Sequence, residues 1–469
     1  MPAAVRVAAT SALVLVLATG GYATADALDV VPGVLTLAPV PAPAAPFPEA
    51  PGAVVGPEVG GVLGVLDATA PVPDAAVLQA KVDALVADAR LGASVGVVLV
   101  DQLTGEVLAE HSATTGHTPA STAKVVTAAA ALSRLGAGAT LETRAVRGTG
   151  DQVVLVGGGD VMLAAGAGDP AATNGRAGLA DLADQTAAQL TLAGLTTVTL
   201  AVDDSLFSGP AVSPAWSPSD LTNGFVAPVT AIEVDIASLT DAEYPPRAAD
   251  PSVAAAKQLA TLLAERGITV TGTPTRATAS AGAAVLGTVS SAPMGDIVDY
   301  FLHSSDNTVT EAVARLVAVE AGLPGSFEGA SVAVLRAAAA LGVDTTGAVL
   351  VDASGLGDGS ALPPRMLAGL LQVASDPAHP ELRRVMAGLP VAGLSGTLSD
   401  RYTTSSARGM VRAKTGSLTG VTALAGTVVD ADGRQLVFVV VADQTPPGQW
   451  GPRAAIDAFV TDLAACGCS

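Results

Sequence analysis

The chain has 469 residues, of which 50% are apolar. This length exceeds that of one ordinary domain, so we expect two or three. The formal net charge of −20 argues against a nucleic-acid partner, because phosphate recognition requires clustered Lys and Arg. The same charge argues against attachment to an anionic membrane by charge alone.

The first element in chain order is an uncharged, apolar stretch at residues 7–25, directly after Arg6. It ends in Ala23-Thr24-Ala25, the small-x-small cleavage pattern of secretory signals. The stretch is near the lower length limit of a membrane span, so residues 1–27 are predicted to be a cleaved signal peptide or an uncleaved signal anchor. Residues 28–73 are rich in Pro and Ala, which predicts a linker. We therefore expect an exported protein at the extracellular face of the cell envelope, either secreted or anchored in the membrane by this N-terminal segment.

The remaining elements are predicted from hydrophobic periodicity and turn residues. Helices are predicted at Asp74–Leu91, Ser121–Leu135, Gly178–Ala193, Pro251–Arg266, Met294–His303, Asn307–Ala321, Ser326–Leu341 and Pro452–Ala465. Strands are predicted at Ser94–Asp101, around Val107, and at Thr197–Val202, Ile268–Gly272, Gly409–Lys414, Val421–Val429 and Gln435–Val441. Strands at both ends with helices between them predict an α+β domain whose sheet joins the two termini.

Lysine is rare in this chain, since only Lys81, Lys124, Lys257 and Lys414 occur among the 23 basic residues. Arginine serves for surface charge here, so a lysine suggests chemistry in which a proton is released at moderate pH. Lys81 and Lys257 lie in helical stretches with a polar face and are interpreted as solvated. Lys124 is followed by an apolar run and is predicted to be buried, and a buried lysine is usually functional or paired.

Three short motifs contain the strongest candidates for a site. The first is Ser121-Thr122-Ala123-Lys124, at the start of an apolar helix, where residues three apart share a face and the lysine can act as base for the serine hydroxyl. The second is Ser305-Asp306-Asn307, which by itself is also an ordinary helix start. The third is Lys414-Thr415-Gly416-Ser417, at the end of a strand, where an ammonium and hydroxyls can bind a carboxylate. Together they form the Ser-x-x-Lys, Ser-x-Asn and Lys-Thr-Gly set of penicillin-recognising acyltransferases.

From about residue 75 onward the chain resembles the class C low-molecular-mass penicillin-binding proteins, the D-Ala-D-Ala carboxypeptidase/endopeptidase family, in its actinobacterial form. Besides the three motifs, the matching segments are Gly157–Asp160, Asp203–Phe207, Glu311, Asp352–Leu356, Leu389–Gly393, Gly396–Leu398 and Arg412–Gly416. The resemblance implies an α+β, β-lactamase-like serine transferase domain made from both ends of the chain, residues 74–140 and 287–469. It also implies a second α/β domain, residues 141–286, inserted between the first and second motifs.

The resemblance implies catalytic roles for the first two motifs. Ser121 would attack the carbonyl of the penultimate D-Ala, and Lys124 would be its base. Lys124 must be neutral for this, which burial and a nearby charge on Lys414 would favour. Ser305 would pass the proton to the leaving amine, and Asn307 would hold the substrate backbone.

The third motif would bind the terminal carboxylate of the substrate through Lys414, Thr415 and Ser417. The backbone N–H groups of Ser121 and Ser417 would form the oxyanion hole.

Within the predicted insertion, Asp220 would pair with the free amino end of the peptide stem. Phe225 and Leu418 would line the same pocket. A plain surface Asp before a turn remains an alternative for Asp220. The segment Gly357-Asp358-Gly359 departs from the family's usual Ser-Arg continuation, which leaves the role of that loop open.

These observations predict a serine-type D-Ala-D-Ala carboxypeptidase/endopeptidase that acts on peptidoglycan stem peptides and is acylated by penicillins. No cofactor is expected, and no metal, because the four histidines show no ligand spacing. One alternative is a β-lactamase-like hydrolase, which would need its own deacylation base; the sequence has no convincing Glu-x-x-x-Asn loop. The other is a catalytically silent peptidoglycan-binding or scaffold protein on the same fold, against which the intact motifs with both lysines argue.

Overall fold

The computed structural model describes residues 19–26, 28, 30–31 and 68–467. The chain divides into two compact units, residues 1–64 and 65–469. In the first unit, residues 19–26 are helical. The predicted signal segment 1–27 and linker 28–73 lie largely outside the described residues and stay predictions. Among the helices that the structure describes, none is long and apolar enough to cross a bilayer.

The second unit contains both helices and strands. They are α1 (Ala75–Val86), β1 (Val95–Asp101), β2 (Val107–His111), α2 (Lys124–Arg134), β3 (Glu142–Arg147), β4 (Gln152–Val156), β5 (Asp160–Leu163), α3 (Leu179–Leu192), β6 (Thr197–Asp203), α4 (Pro218–Thr222), β7 (Ile232–Val234), α5 (Pro251–Glu265), β8 (Thr269–Arg276), β9 (Val285–Ser290), α6 (Met294–Ser304), α7 (Asn307–Glu320), α8 (Phe327–Ala340), α9 (Pro364–Ser375), α10 (Arg383–Ala387), β10 (Val411–Leu418), β11 (Val421–Val429), β12 (Gln435–Ala442) and α11 (Trp450–Ala464).

A five-stranded antiparallel sheet joins the two ends of this unit. Its strand order is β10-β11-β12-β1-β2. β1 pairs with β12, with Val98 opposite Val439, so a strand near the start of the unit is hydrogen-bonded to one near its end. The predicted α+β architecture, with a sheet that joins both termini, is confirmed.

Both faces of this sheet are buried, and side chains of β12 alternate between the two cores. One core contains α1 and α11 and receives Leu436, Phe438 and Val440. The other contains α2 and α6 to α9 and receives Val437, Val439 and Val441. Because both faces are covered, the strand is a continuous apolar run without alternation of polar residues.

A second five-stranded sheet, with the order β8-β6-β4-β3-β9, is built entirely from strands within residues 142–290. β4, β6 and β8 are parallel, whereas β3 is antiparallel to both β4 and β9. Helices α3 and α5 pack on it and form a separate core. The boundaries of the insertion, 141–286, and of the split domain, 74–140 and 287–469, stay predictions, since residues 65–469 form one compact unit.

Two predicted helices differ from the observed ones by three or more residues at one end. The helix predicted at Asp74–Leu91 ends at Val86, because the Asp88 carboxylate accepts the Arg90 N–H at 2.9 Å and begins a separate 3-10 turn. The helix predicted from Ser121 begins with a 3-10 turn over Ala120–Ala123 and becomes α-helical at Lys124.

Candidate active site

Ser121 lies in the tight turn that leads into α2. The residue before it, Ala120, has φ +47°, a left-handed conformation that a non-glycine residue adopts at a cost of about 1 kcal/mol or more. The turn is held by the Thr122 hydroxyl, which donates to the Pro119 carbonyl at 2.6 Å. Surrounding structure therefore maintains a strained backbone next to the predicted nucleophile.

Lys124 is fully buried one turn beyond Ser121, and its Nζ has three polar neighbours. They are Ser121 Oγ at 2.9 Å, Asn307 Oδ1 at 2.6 Å and the Ser354 carbonyl at 3.0 Å. A neutral amine can donate its two N–H groups to the two carbonyl oxygens and keep its lone pair for the Ser121 hydroxyl. Burial lowers the Lys124 pKa to about 8, although the nearby carboxylates of Asp352, Glu311 and Asp306 raise it in part.

The second motif lies at the break between α6 and α7 and touches both lysines. Ser305 ends α6 in a left-handed conformation with φ +64°, and its Oγ accepts a hydrogen bond from Lys414 Nζ at 2.9 Å. Asp306 caps α7 by accepting the Val309 N–H at 2.8 Å. Asn307 accepts from Lys124 and donates its Nδ2 to the Phe225 carbonyl at 2.9 Å. The second motif thus contacts Lys124 through Asn307 and Lys414 through Ser305, and it lies between the first and third motifs.

Lys414 is fully buried on β10, at the edge of the first sheet. Its Nζ donates to Ser305 Oγ at 2.9 Å and to the Thr415 carbonyl at 3.1 Å. Burial, and secondarily the charge of Lys124, push the Lys414 pKa well below its ordinary value. The sequence predicted a charged Lys414 and a neutral Lys124. The structure shows that burial lowers the pKa of both lysines.

The end of β10 runs against the turn that carries Ser121. A Cβ at Gly416 would lie 2.8 Å from the Pro119 carbonyl oxygen, so only glycine permits this approach. Thr415 Oγ1 is hydrogen-bonded to Thr397 Oγ1 at 2.7 Å. The two predicted oxyanion-hole residues, Ser121 and Ser417, therefore belong to segments that face each other, and their role stays a prediction.

The three residues that are predicted to bind the free amino end of the peptide stem are Asp220, Phe225 and Leu418. The Asp220 carboxylate accepts the Ser217 N–H at 2.8 Å and completes a capping box at the start of α4. Phe225 is 41% exposed and makes an edge-to-face contact with Tyr244, with ring centroids 5.3 Å apart. Leu418 is half-buried at the end of β10. The capping contact gives Asp220 a structural role at the start of α4. Its role in binding the amino end of the peptide stem stays a prediction.

Two buried carboxylates support the loop that offers the Ser354 carbonyl to Lys124. Glu311 accepts the N–H groups of Ala353 and Ser354 at 3.0 and 2.8 Å. Asp352 accepts the Gly355 N–H at 2.8 Å and the Trp216 Nε1–H at 2.8 Å. Glu311 and Asp352 lie in segments that match the family, but no role was predicted for them from the sequence. The structure shows that these two carboxylates hold the loop whose Ser354 carbonyl accepts from Lys124.

Gly355 in this loop approaches the nucleophile turn closely. Its φ is +76°, and a Cβ there would lie 2.0 Å from the Ala120 carbonyl oxygen. We expect Gly355→Ala to lower the free energy of unfolding by about 3 kcal/mol, because the clash adds to the cost of the left-handed backbone. Urea denaturation followed by circular dichroism measures this loss.

The matched control for that substitution is Gly282→Ala. Gly282 has nearly the same φ, +75°, but a Cβ there meets nothing within 4 Å. This variant reports the backbone cost alone, about 1 kcal/mol. Equal losses in the two variants would show that the contact with Ala120 does not constrain the loop.

One contact at this site had no sequence signal. Arg453, in the first turn of α11, donates from Nη2 to Ser417 Oγ at 3.0 Å. It lies 36 residues beyond Ser417, on a helix for which no site residue was predicted. For metals, no group of three or more His, Cys, Asp or Glu side chains placed to hold an ion occurs within the described ranges.

Comparison with known proteins agrees with this arrangement. The family model for the D-Ala-D-Ala carboxypeptidase 3 (S13) family matches residues 78–246 and 237–463. The carboxypeptidase DacB of Mycolicibacterium smegmatis is 38% identical over 477 residues, covering 99% of this chain and 97% of that protein. A carboxypeptidase of Mycobacterium tuberculosis is 36% identical over 418 residues, covering 87% of this chain and 88% of the relative.

Among solved structures, penicillin-binding protein 4 of Haemophilus influenzae has a similar fold. The TM-score is 0.67 at 22% sequence identity, and the match covers 84% of this chain and 98% of the other. A second structure of that protein, in complex with a β-lactam, has a TM-score of 0.64.

The fold is thus that of a penicillin-recognising serine transferase. The chain belongs to the D-Ala-D-Ala carboxypeptidase 3 (S13) family. It is a serine-type D-Ala-D-Ala carboxypeptidase.

Proposed function

We propose that this enzyme cleaves the D-Ala-D-Ala bond of peptidoglycan stem peptides through an acyl-enzyme at Ser121, and that penicillins acylate the same serine. The observation that carries the proposal is the contact of 2.9 Å between Ser121 Oγ and the buried Nζ of Lys124. A serine hydroxyl is a weak nucleophile and requires an adjacent base. Among the described residues, Lys124 is the only ionisable side chain that donates a hydrogen bond to Ser121.

The first half-reaction forms the acyl-enzyme. Ser121 Oγ bonds to the carbonyl carbon of the penultimate D-Ala as its proton moves to neutral Lys124. The carbon–nitrogen bond to the terminal D-Ala then breaks, and the leaving amine receives a proton through Ser305, whose Oγ is 2.9 Å from Lys414 Nζ. N–H groups of Ser121 and Ser417 stabilise the negative charge that develops on the carbonyl oxygen.

The second half-reaction regenerates the enzyme. Water adds to the ester carbon, the shortened peptide leaves as a carboxylic acid, and the Ser121 hydroxyl is restored. With a penicillin, the amine that is released stays tethered to the acyl group, so it continues to obstruct the path of water. The β-lactam complex of the structurally similar penicillin-binding protein 4 supports this part of the proposal.

We place this activity outside the cytoplasmic membrane. Peptidoglycan stems lie in the cell envelope, and the uncharged residues 7–25 with the Ala23-Thr24-Ala25 pattern are typical of an export signal. Secretion after cleavage and anchoring without cleavage both deliver the catalytic unit to the extracellular face.

Release of free D-Ala from a peptide that ends in D-Ala-D-Ala tests the proposed function. We expect one D-Ala per peptide, and uncross-linked stem peptides from purified cross-linked muropeptides. A peptide that ends in L-Ala-L-Ala is the matched control and should stay intact. Rapid penicillin turnover without D-Ala release would instead identify a β-lactamase, and a folded protein with neither activity would be a binding protein.

A further inference from the structure

The first turn of α11 packs against the segment of β10 that is predicted to bind the substrate carboxylate. Arg453 Nη2 donates to Ser417 Oγ at 3.0 Å and to Gln449 Oε1 at 2.6 Å. Gln449 in turn donates from Nε2 to the Leu418 carbonyl at 3.4 Å. A guanidinium is therefore placed at the end of β10, beside the motif that is predicted to bind the carboxylate of the leaving group.

The hydrogen-bond partners of Arg453 are neutral. In the part of the chain that the structure describes, no carboxylate lies within 4 Å of its guanidinium, whereas Arg401 nearby is paired with Asp457 of α11. Burial and the charge of Arg401 lower the Arg453 pKa, and the more distant Asp400 and Asp457 offset part of this effect. A partly desolvated guanidinium without an anionic partner binds an incoming carboxylate with strong, charge-assisted hydrogen bonds.

The other cation near this position is less suited to hold an anion. Lys414 is fully buried, and its Nζ already donates to Ser305 Oγ and to the Thr415 carbonyl. An arginine stays charged at every physiological pH and presents a planar fork that matches a carboxylate. Arg453 is also half-exposed, so its remaining N–H groups are accessible to a ligand.

We propose that Arg453 selects leaving groups that carry a free carboxylate next to the scissile nitrogen. This inference rests on the proposed function, since it concerns the same active site. Terminal D-alanine satisfies the requirement, and so does a cross-linking amino acid whose adjacent carboxyl group is free. A leaving group with a carboxamide there is neutral and offers the guanidinium one acceptor oxygen instead of two, so an amidated cross-link is cleaved slowly.

Two thioester substrates test the proposal. Both contain the same N-acylated D-alanyl group; one has thioglycolate as leaving group and the other has thioglycolamide. Thioesters are reactive enough for the slower compound to be measured. We expect the wild type to prefer the carboxylate substrate about 10- to 100-fold in kcat/KM, and Arg453→Gln to remove that preference while the amide rate stays near the wild-type value.

Further variants separate charge recognition from structural support. Arg453→Lys keeps the charge and should restore most of the preference. Arg336→Gln, an exposed site on α8, removes the same charge elsewhere and should change neither rate. If Arg453→Gln lowers both rates equally, or leaves the preference unchanged, the inference is wrong. A wild type that releases no D-Ala from D-Ala-D-Ala peptides would overturn the proposed function instead.

Discussion

Replacing Ser121 with alanine should abolish covalent labelling by a fluorescent penicillin and lower the rate of D-Ala release by about 10⁴-fold or more. The Ser121 hydroxyl is the one that lies 2.9 Å from Lys124 Nζ and is carried by the strained turn at the start of α2. Without Oγ no acyl-enzyme can form, and the remaining polar groups can only polarise the substrate. Gel fluorescence and the intact mass of the protein after incubation measure the loss directly.

Ser331→Ala is a suitable control for that experiment. Ser331 is also buried, lies on α8, and has a hydroxyl without a hydrogen-bond partner in the described structure. This variant removes a buried serine hydroxyl but should be labelled at the wild-type rate. Labelling of Ser121→Ala at the wild-type rate would contradict the assignment of the nucleophile.

The second large effect is expected at Lys124. Lys124→Arg keeps a cation but has no lone pair at accessible pH, so the acylation rate should fall by about 10²- to 10⁴-fold. In the wild type, burial lowers the Lys124 pKa to about 8, and only the neutral amine can accept the Ser121 proton. The acylation rate should therefore rise with pH through about 8 and then reach a plateau. Stopped-flow acylation by a chromogenic β-lactam, from about pH 6 to about pH 10, records this profile.

Lys257→Arg provides the matched substitution outside the site, because Lys257 is exposed on α5. It should leave both the rate and the pH profile unchanged. An active Lys124→Arg variant, or a wild-type rate that does not depend on pH across this range, would exclude Lys124 as the base.

Much of the fold was predictable because buried segments are recognisable in the sequence as runs or periodic patterns of apolar residues. The strand predicted at Val421–Val429 was observed with the same bounds, since both of its faces are covered and its residues are mostly apolar. β3, at Glu142–Arg147, was not predicted. Its outward side chains are charged and its inward ones are small, so only the neighbouring strands identify it.

The central contacts of the site were predictable for a similar reason. Ser121 and Lys124 are three residues apart, so one helical turn places them side by side whatever the rest of the chain does. The scarcity of lysine distinguished Lys124 and Lys414 from surface charge. The sequence by itself thus determined which serine and which lysines are the candidates for the chemistry, because short-range geometry and residue type suffice for that.

Only the tertiary structure decided the electrostatic environment of these residues. Depression of the Lys414 pKa depends on its complete burial and on the nearby charge of Lys124. The contact of Arg453 with Ser417 requires α11 to pack against β10, and the Asp220 cap requires the observed turn at Ser217. A pKa and a long-range contact depend on distances in space and on exclusion of water, and one-dimensional spacing does not contain either quantity.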